Sequence, residues 1–222
     1  GSLLICFNSV GAGASQNHVH CHAWPSPPVP LLGGSGGRNG WDCYAVSRAQ
    51  TAMDGSGHLA EVFLGGGSVR VSLLDYPCCC VRVSTQIGDA ANAQKATRLA
   101  GDILAALVGL VQDLGLPHNV GLLNRPMNGS TSDNEAESPT DTDAYLFPRL
   151  RERSPGVTPG SRIGASEVMG VFHCHSDEQL RELAPDNTEG EDLPMAKALG
   201  DVSFEPKVEF WSNAKSILDQ YT

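Results

Sequence analysis

The 222-residue sequence predicts an α+β fold, with helices packed on antiparallel sheets. Three observations lead there. Short apolar segments bounded by glycine and proline fill the first third of the chain. One long amphipathic segment, residues 89–114, separates them from a second group of strands. Helical patterns then close the sequence.

Each element has its own warrant. Leu3-Leu4-Ile5-Cys6-Phe7 reads as a strand. Asn17–Trp24 reads as a second, because His18, His20 and His22 alternate with Val19, Cys21 and Ala23. Period two puts the three histidines on one face and the small apolar residues on the other. Prolines 25, 27, 28 and 30 and five glycines within 33–40 mark a long loop. Residues 58–64 and 68–74 form strands around Gly65-Gly66-Gly67, and Asp75-Tyr76-Pro77 ends that unit. Cys78–Ser84 follows as a strand.

Over Asp89–Leu114, residues Ala96, Leu99, Ala100, Ile103, Leu107, Leu110, Val111 and Leu114 fall at helical spacing. Asp89 can cap its start, and Gly115 and Pro117 stop it. His118–Asn124 and Tyr145–Leu150 are strands, joined by a polar, acidic loop over 127–143. Residues 165–171 fit helix or strand equally. Ser176 can cap an acidic helix over Asp177–Leu183, and the tail from Glu205 to Tyr221 is helical in pattern.

Composition narrows the function. Hydrophobic residues at 41% and charged residues at 18% exclude a disordered, collagenous or coiled-coil chain. No run of about 18 apolar residues predicts a membrane span, and the Leu3–Phe7 run is too short for a secretory leader. The net charge of −10 argues against a nucleic-acid partner. That acidity is local: residues 130–143 hold five acids and no base, and residues 177–192 hold seven acids and one base. The remainder is close to neutral and can accept a phosphate ligand without a hostile field. The seven cysteines include no CxxC pair. They read as reduced, mostly buried thiols of a cytoplasmic protein, and their spacing does not resemble a zinc site.

The informative segment runs Asn8-Ser9-Val10-Gly11-Ala12-Gly13-Ala14-Ser15-Gln16-Asn17-His18-Val19-His20-Cys21-His22. Strand neighbours two apart can ligate a metal, but nothing nearby in sequence completes the shell. A chance grouping of structural histidines is the other bland reading. The loop favours phosphate chemistry. Gly11 and Gly13, with Ala12, Ala14 and Ser15, let backbone N–H groups approach an anion. An imidazole beside such a loop can attack phosphorus and split one displacement into two. Flanking histidines can orient it and offset phosphoryl charge.

This segment resembles the histidine-triad superfamily, whose motif stands here as His18-Val19-His20-Cys21-His22-Ala23-Trp24. Within that superfamily it resembles the nucleotidyltransferase branch, and most of all the GDP-hexose phosphorylases. Phe7-Asn8-Ser9, Ala14-Ser15, Pro28-Val29-Pro30 and Leu73-Leu74-Asp75-Tyr76-Pro77 add to the likeness, as do Leu116–Val120 and Leu146–Arg149. The resemblance spans roughly residues 3–184, and only the triad is sharp. It implies a histidine-triad-like half over 1–75 that carries the triad. It implies a second such half over 76–222, without a triad, holding the acidic loop 127–143 and the C-terminal helices. It implies His20 as nucleophile, His18 and His22 as its supports, and Asn8, Gly13, Ser15 and Gln16 around the phosphate. The implied reaction turns GDP-hexose and inorganic phosphate into hexose 1-phosphate and GDP. Neither cofactor nor metal is called for, a homodimer stays open, and no membrane or nucleic acid is involved. A dinucleoside polyphosphate phosphorylase or hydrolase, or a non-catalytic nucleotide-binding protein, are the alternatives.

Outside that segment, the expectations are structural. His173-Cys174-His175 reads as a strand end with solvated imidazoles rather than a metal pair. Arg149, Arg151 and Arg153 read as a solvated strand edge rather than a cationic face near phosphate. Glu167 reads as structural, and Gly33–Gly40, with no Lys-Ser/Thr after it, as a linker.

Overall fold

The computed structural model describes residues 3–14, 19–25, 61–74, 76–85, 90–126, 140–151, 163–183 and 194–222. Its strands are β1 (Leu3–Asn8), β2 (Cys21–Pro25), β3 (Glu61–Leu64), β4 (Val69–Leu73), β5 (Val81–Thr85), β6 (His118–Pro126) and β7 (Thr140–Pro148). Its helices are α1 (Ala90–Asp113), α2 (Ala165–Val168), α3 (Asp177–Leu183), α4 (Pro194–Asp201) and α5 (Val208–Leu218). A short 3-10 turn, Asp219–Tyr221, follows α5. The seven strands form one sheet in the order β2-β1-β6-β7-β5-β4-β3. Every neighbouring pair is antiparallel. The fold is therefore α+β, and the sheet takes strands from either side of residue 75.

Alternation along the strands divides the core between two faces. On β7, Ala144 and Leu146 enter one cluster while Tyr145 and Phe147 enter the other. On the first face, Ala100, Ile103, Leu107 and Val111 of α1 pack with Phe210, Trp211, Ala214 and Leu218 of α5 over Val69, Val71, Val81 and Val83. These α1 positions are the stripe that helical spacing predicts. Full burial of each large aliphatic side chain contributes about 1.5–3 kcal/mol. On the second face, Ile163, Ala165, Val168 and Met169 cover Leu4, Cys6 and Leu123, with Ala198, Leu199 and Val202 in the same cluster. Gly121 makes this close approach possible, because a Cβ there would lie 2.6 Å from Met169 Sδ.

Several boundaries differ from expectation, each for a physical reason. β2 begins at Cys21, not at residue 17, because its partner β1 reaches only Phe7 opposite Cys21 before the chain turns away at Ser9. Residues 17 and 18 lie outside the described residues. The small residues opposite the histidines are not core: Cys21 and Ala23 are exposed on this edge strand, and Val19 is 87% exposed. Cys78–Cys80 precede β5 rather than belonging to it. Cys80 O accepts from Leu74 N and Cys79 N donates to Ser203 Oγ, so these residues bond to a turn and the C-terminal tail instead of a ladder.

The acidic segment 127–143 is not a loop throughout. β7 starts at Thr140 because it pairs with β6 as far as Pro126. Asp143 is buried there and accepts from Arg82 at 2.8 Å. Residues 127–139, the loop 26–40, the start of the 58–64 strand and the Asp89 cap lie outside the described residues. α3 has its expected cap, with Gln179 N donating to Ser176 Oγ at 3.1 Å. Residues 165–168 are one helical turn.

Candidate active site

The site grows from the register of three strands. Cys6 stands opposite His22 on β2 and Gly121 on β6, and Leu4 stands opposite Trp24. Directly opposed residues share a face. His22 and Trp24 therefore join Leu4, Cys6 and Asn8 on the face that α2 covers. From His20, just before β2, the rings run in series into the strand. His20 lies 5.3 Å from His22, edge to face, and His22 stacks on Trp24 at 5.6 Å. This series is what period two requires.

A cleft of about 270 Å³ opens between that ring series and the α2 turn. His22, Trp24, Cys6, Asn8 and Gly13 line one side, and Gly164, Ala165, Ser166, Glu167 and His173 line the other. Gly13 is required where it stands. Its φ is +82°, and a Cβ would lie 2.6 Å from Ile163 O and 2.9 Å from Gly164 Cα. The glycine loop is thus pressed against the backbone before α2.

Asn8 is fixed from two directions. Its Oδ1 accepts from Ala165 N at 2.6 Å and from Asn119 Nδ2 at 2.7 Å. Asn119, fully buried, also donates to Ala12 O at 2.8 Å and accepts from the Arg149 guanidinium at 2.8 Å. The same guanidinium nitrogen donates to Ile163 O. Arg149 is thus not on a solvated edge: it is wholly buried and ties β7 to the glycine loop and to the segment before α2. Arg151 is exposed, and Arg153 lies outside the described residues.

Glu167, 8% exposed, is the other fixed group. Its Oε2 accepts from Gly164 N at 2.8 Å and from Ser166 Oγ at 2.9 Å, and its Oε1 meets His173 Nδ1 at 3.0 Å. His173 is therefore not the end of a strand. It sits in an irregular segment after α2 and faces the same cleft as His22. Burial, together with the nearby Glu167 carboxylate and Cys21, pushes the Cys6 thiol up to about 12, so Cys6 adds no negative charge to the cleft.

The sequence-derived residues divide as follows. Asn8, Gly13 and His22 come together in the cleft, and His20 touches it through the His22 ring. His18, Ser15 and Gln16 lie outside the described residues. Sequence reasoning missed Asn119 and Arg149 as supports of Asn8, and Glu167 with His173 as a cleft wall. A glutamate three residues after Gly164, with Ser166 beside it, was the available signal for Glu167. Among the described residues, no group of three or more His, Cys, Asp or Glu side chains can hold a metal ion. No helix among them is long and apolar enough to cross a membrane. No family model, curated protein or solved structure matches the chain.

Proposed function

We propose that this chain is a histidine-triad nucleotidyltransferase that moves a guanylyl group from GDP-hexose to inorganic phosphate through His20. The observation that supports this most is the His20–His22 ring pair beside a cleft whose opposite parts present Asn8, the glycine loop and Gly164. On this reading the seven-stranded sheet is histidine-triad-like, with the triad strand on its edge.

The chemistry follows from those groups. A ring nitrogen of His20 attacks the guanylyl phosphorus, the bond to the bridging oxygen breaks, and hexose 1-phosphate departs with the electron pair. Because that leaving group is already a good one, catalysis rests on positioning and charge compensation. His22, held in place by stacking on Trp24, orients His20 and faces the phosphoryl oxygens. The glycine loop can share that charge through backbone N–H, since Gly13 lines the same cleft. Inorganic phosphate then attacks the guanylylated histidine, the P–N bond breaks, and GDP leaves with His20 restored.

The test is turnover of GDP-hexose with inorganic phosphate, followed by appearance of GDP and hexose 1-phosphate. The expected result is phosphate-dependent formation of both products. Turnover of dinucleoside polyphosphates in preference to GDP-hexose would replace the substrate assignment. Nucleotide binding without turnover of either would leave a non-catalytic binding protein.

A further inference from the structure

We infer that His173, held by Glu167, forms the subsite for the inorganic phosphate that accepts the guanylyl group. This rests on the reading above and assigns the acceptor a place in the same cleft.

The geometry gives the cleft two histidine walls. One is the β2 series, where His20 and His22 meet the group being transferred. The other is His173, which reaches the cleft from the segment after α2. The two imidazoles differ in how they are held. His22 is positioned by stacking on Trp24. His173 is positioned by a carboxylate, because its Nδ1 meets Glu167 Oε1 at 3.0 Å.

That carboxylate cannot easily turn. Its second oxygen is taken by Gly164 N and Ser166 Oγ, and Glu167 is nearly buried. With the proton on Nδ1 the contact is complete, and the imidazole then presents the Nε2 lone pair on its opposite edge, where it can accept the P–OH proton of hydrogen phosphate. The His173 side chain is 56% exposed, so a small anion can reach that edge from solvent while a nucleotide occupies the β2 side.

An anion placed next to a carboxylate needs that carboxylate's charge answered. Here three donors already meet it: Gly164 N, Ser166 Oγ and His173 Nδ1. The other titratable groups lining the cleft are His22 and Cys6, and burial keeps Cys6 a neutral thiol. The wall therefore offers hydrogen phosphate a hydrogen-bond acceptor for its P–OH beside a carboxylate whose oxygens are already engaged, and use of hydrogen phosphate in place of water is the difference between a phosphorylase and a hydrolase. Glu167 is a positioning residue in this scheme, since it acts through His173.

The experiment separates the acceptor from the transfer itself. Labelled GDP-hexose is mixed with the protein without phosphate, the adduct is measured, and inorganic phosphate is then added in increasing amounts. In H173Q the adduct should still form to full yield but more slowly, because the departing hexose 1-phosphate places its phosphate where the acceptor later stands, so the acceptor is read from the preformed adduct. Half-saturating phosphate should rise at least tenfold, with the maximal rate falling less than threefold. E167Q should show the same split more weakly. In a second measurement, inorganic phosphate alone is titrated into the unmutated protein, and the His173 ring resonances should move while those of the exposed His175 do not. An unchanged phosphate dependence in H173Q, or a His173 ring that ignores phosphate, overturns the subsite. Absence of any adduct in the unmutated chain overturns guanylyl transfer instead, and the titration still decides the subsite.

Discussion

Replacing Asn119 with Ala tests the bracing of the cleft most severely. Asn119 is 0% exposed and makes three hydrogen bonds: to Asn8 Oδ1, to Ala12 O and from Arg149. Each such bond is worth about 1 kcal/mol net. Two of the three partners keep another bond, because Asn8 Oδ1 still accepts from Ala165 N and Arg149 still donates to Ile163 O. The buried Ala12 carbonyl loses its donor, which adds about 1 kcal/mol. The expected loss is about 3–4 kcal/mol. For a chain of this size that is a fall in melting temperature of about 6–16 °C. Urea unfolding of N119A beside the unmutated protein reads the loss directly. K215A, which removes an exposed ion pair with Asp219, is the control and should cost under about 0.5 kcal/mol. A loss in N119A no larger than in K215A would refute the bracing network.

The remaining expectations concern thiols, pH and metal. Native protein treated with iodoacetamide at pH 8 should be labelled at exposed Cys21 well before Cys6, Cys78 or Cys80, since burial pushes those three thiols up; peptide mapping that finds Cys6 labelled as fast as Cys21 would contradict the packed face. Burial lowers the His118 pKa below its ordinary value, so the unfolded chain binds a proton there that the folded chain refuses. Stability should therefore fall as pH drops through about 6.5 toward the folded value, and H118N should lose part of that dependence; melting curves at pH 7.5 and 5.5 with equal slopes in both proteins would count against it. Exhaustive chelation should leave phosphate-dependent turnover within twofold, and a strict zinc requirement would overturn nucleophilic attack by histidine.

Much of the fold was legible because it rests on local periodicity. The α1 stripe from Ala96 to Val111 and the strands around Gly65–Gly67 follow from spacing and turn chemistry alone. Helix α4 escaped notice because its eight residues, Pro194–Asp201, carry too short a pattern. The order of the strands was not legible. β6 and β7 insert between β1 and β5, and backbone pairing leaves no mark on residue type. The candidate site follows the same division. His20 and His22 are two apart in sequence, so their adjacency is local and readable. Asn8 meets Asn119 across 111 residues of chain, and Arg149 reaches Ile163 across 14, so both contacts exist only once the sheet has formed. Arg149 shows the cost of reading polarity alone: an arginine in an alternating run looks solvated, whereas the register turns it inward.

The most direct test of the account is the covalent state of His20. Labelled GDP-hexose is mixed with the protein without phosphate, and the product is examined for an acid-labile, base-stable adduct mapped to its residue. One guanylyl group per chain is expected on His20. Loss of the adduct is expected in His20→Asn, with slower, incomplete formation in His22→Asn. An adduct of unchanged yield in His20→Asn, or one mapped to His22 or His173, would contradict it.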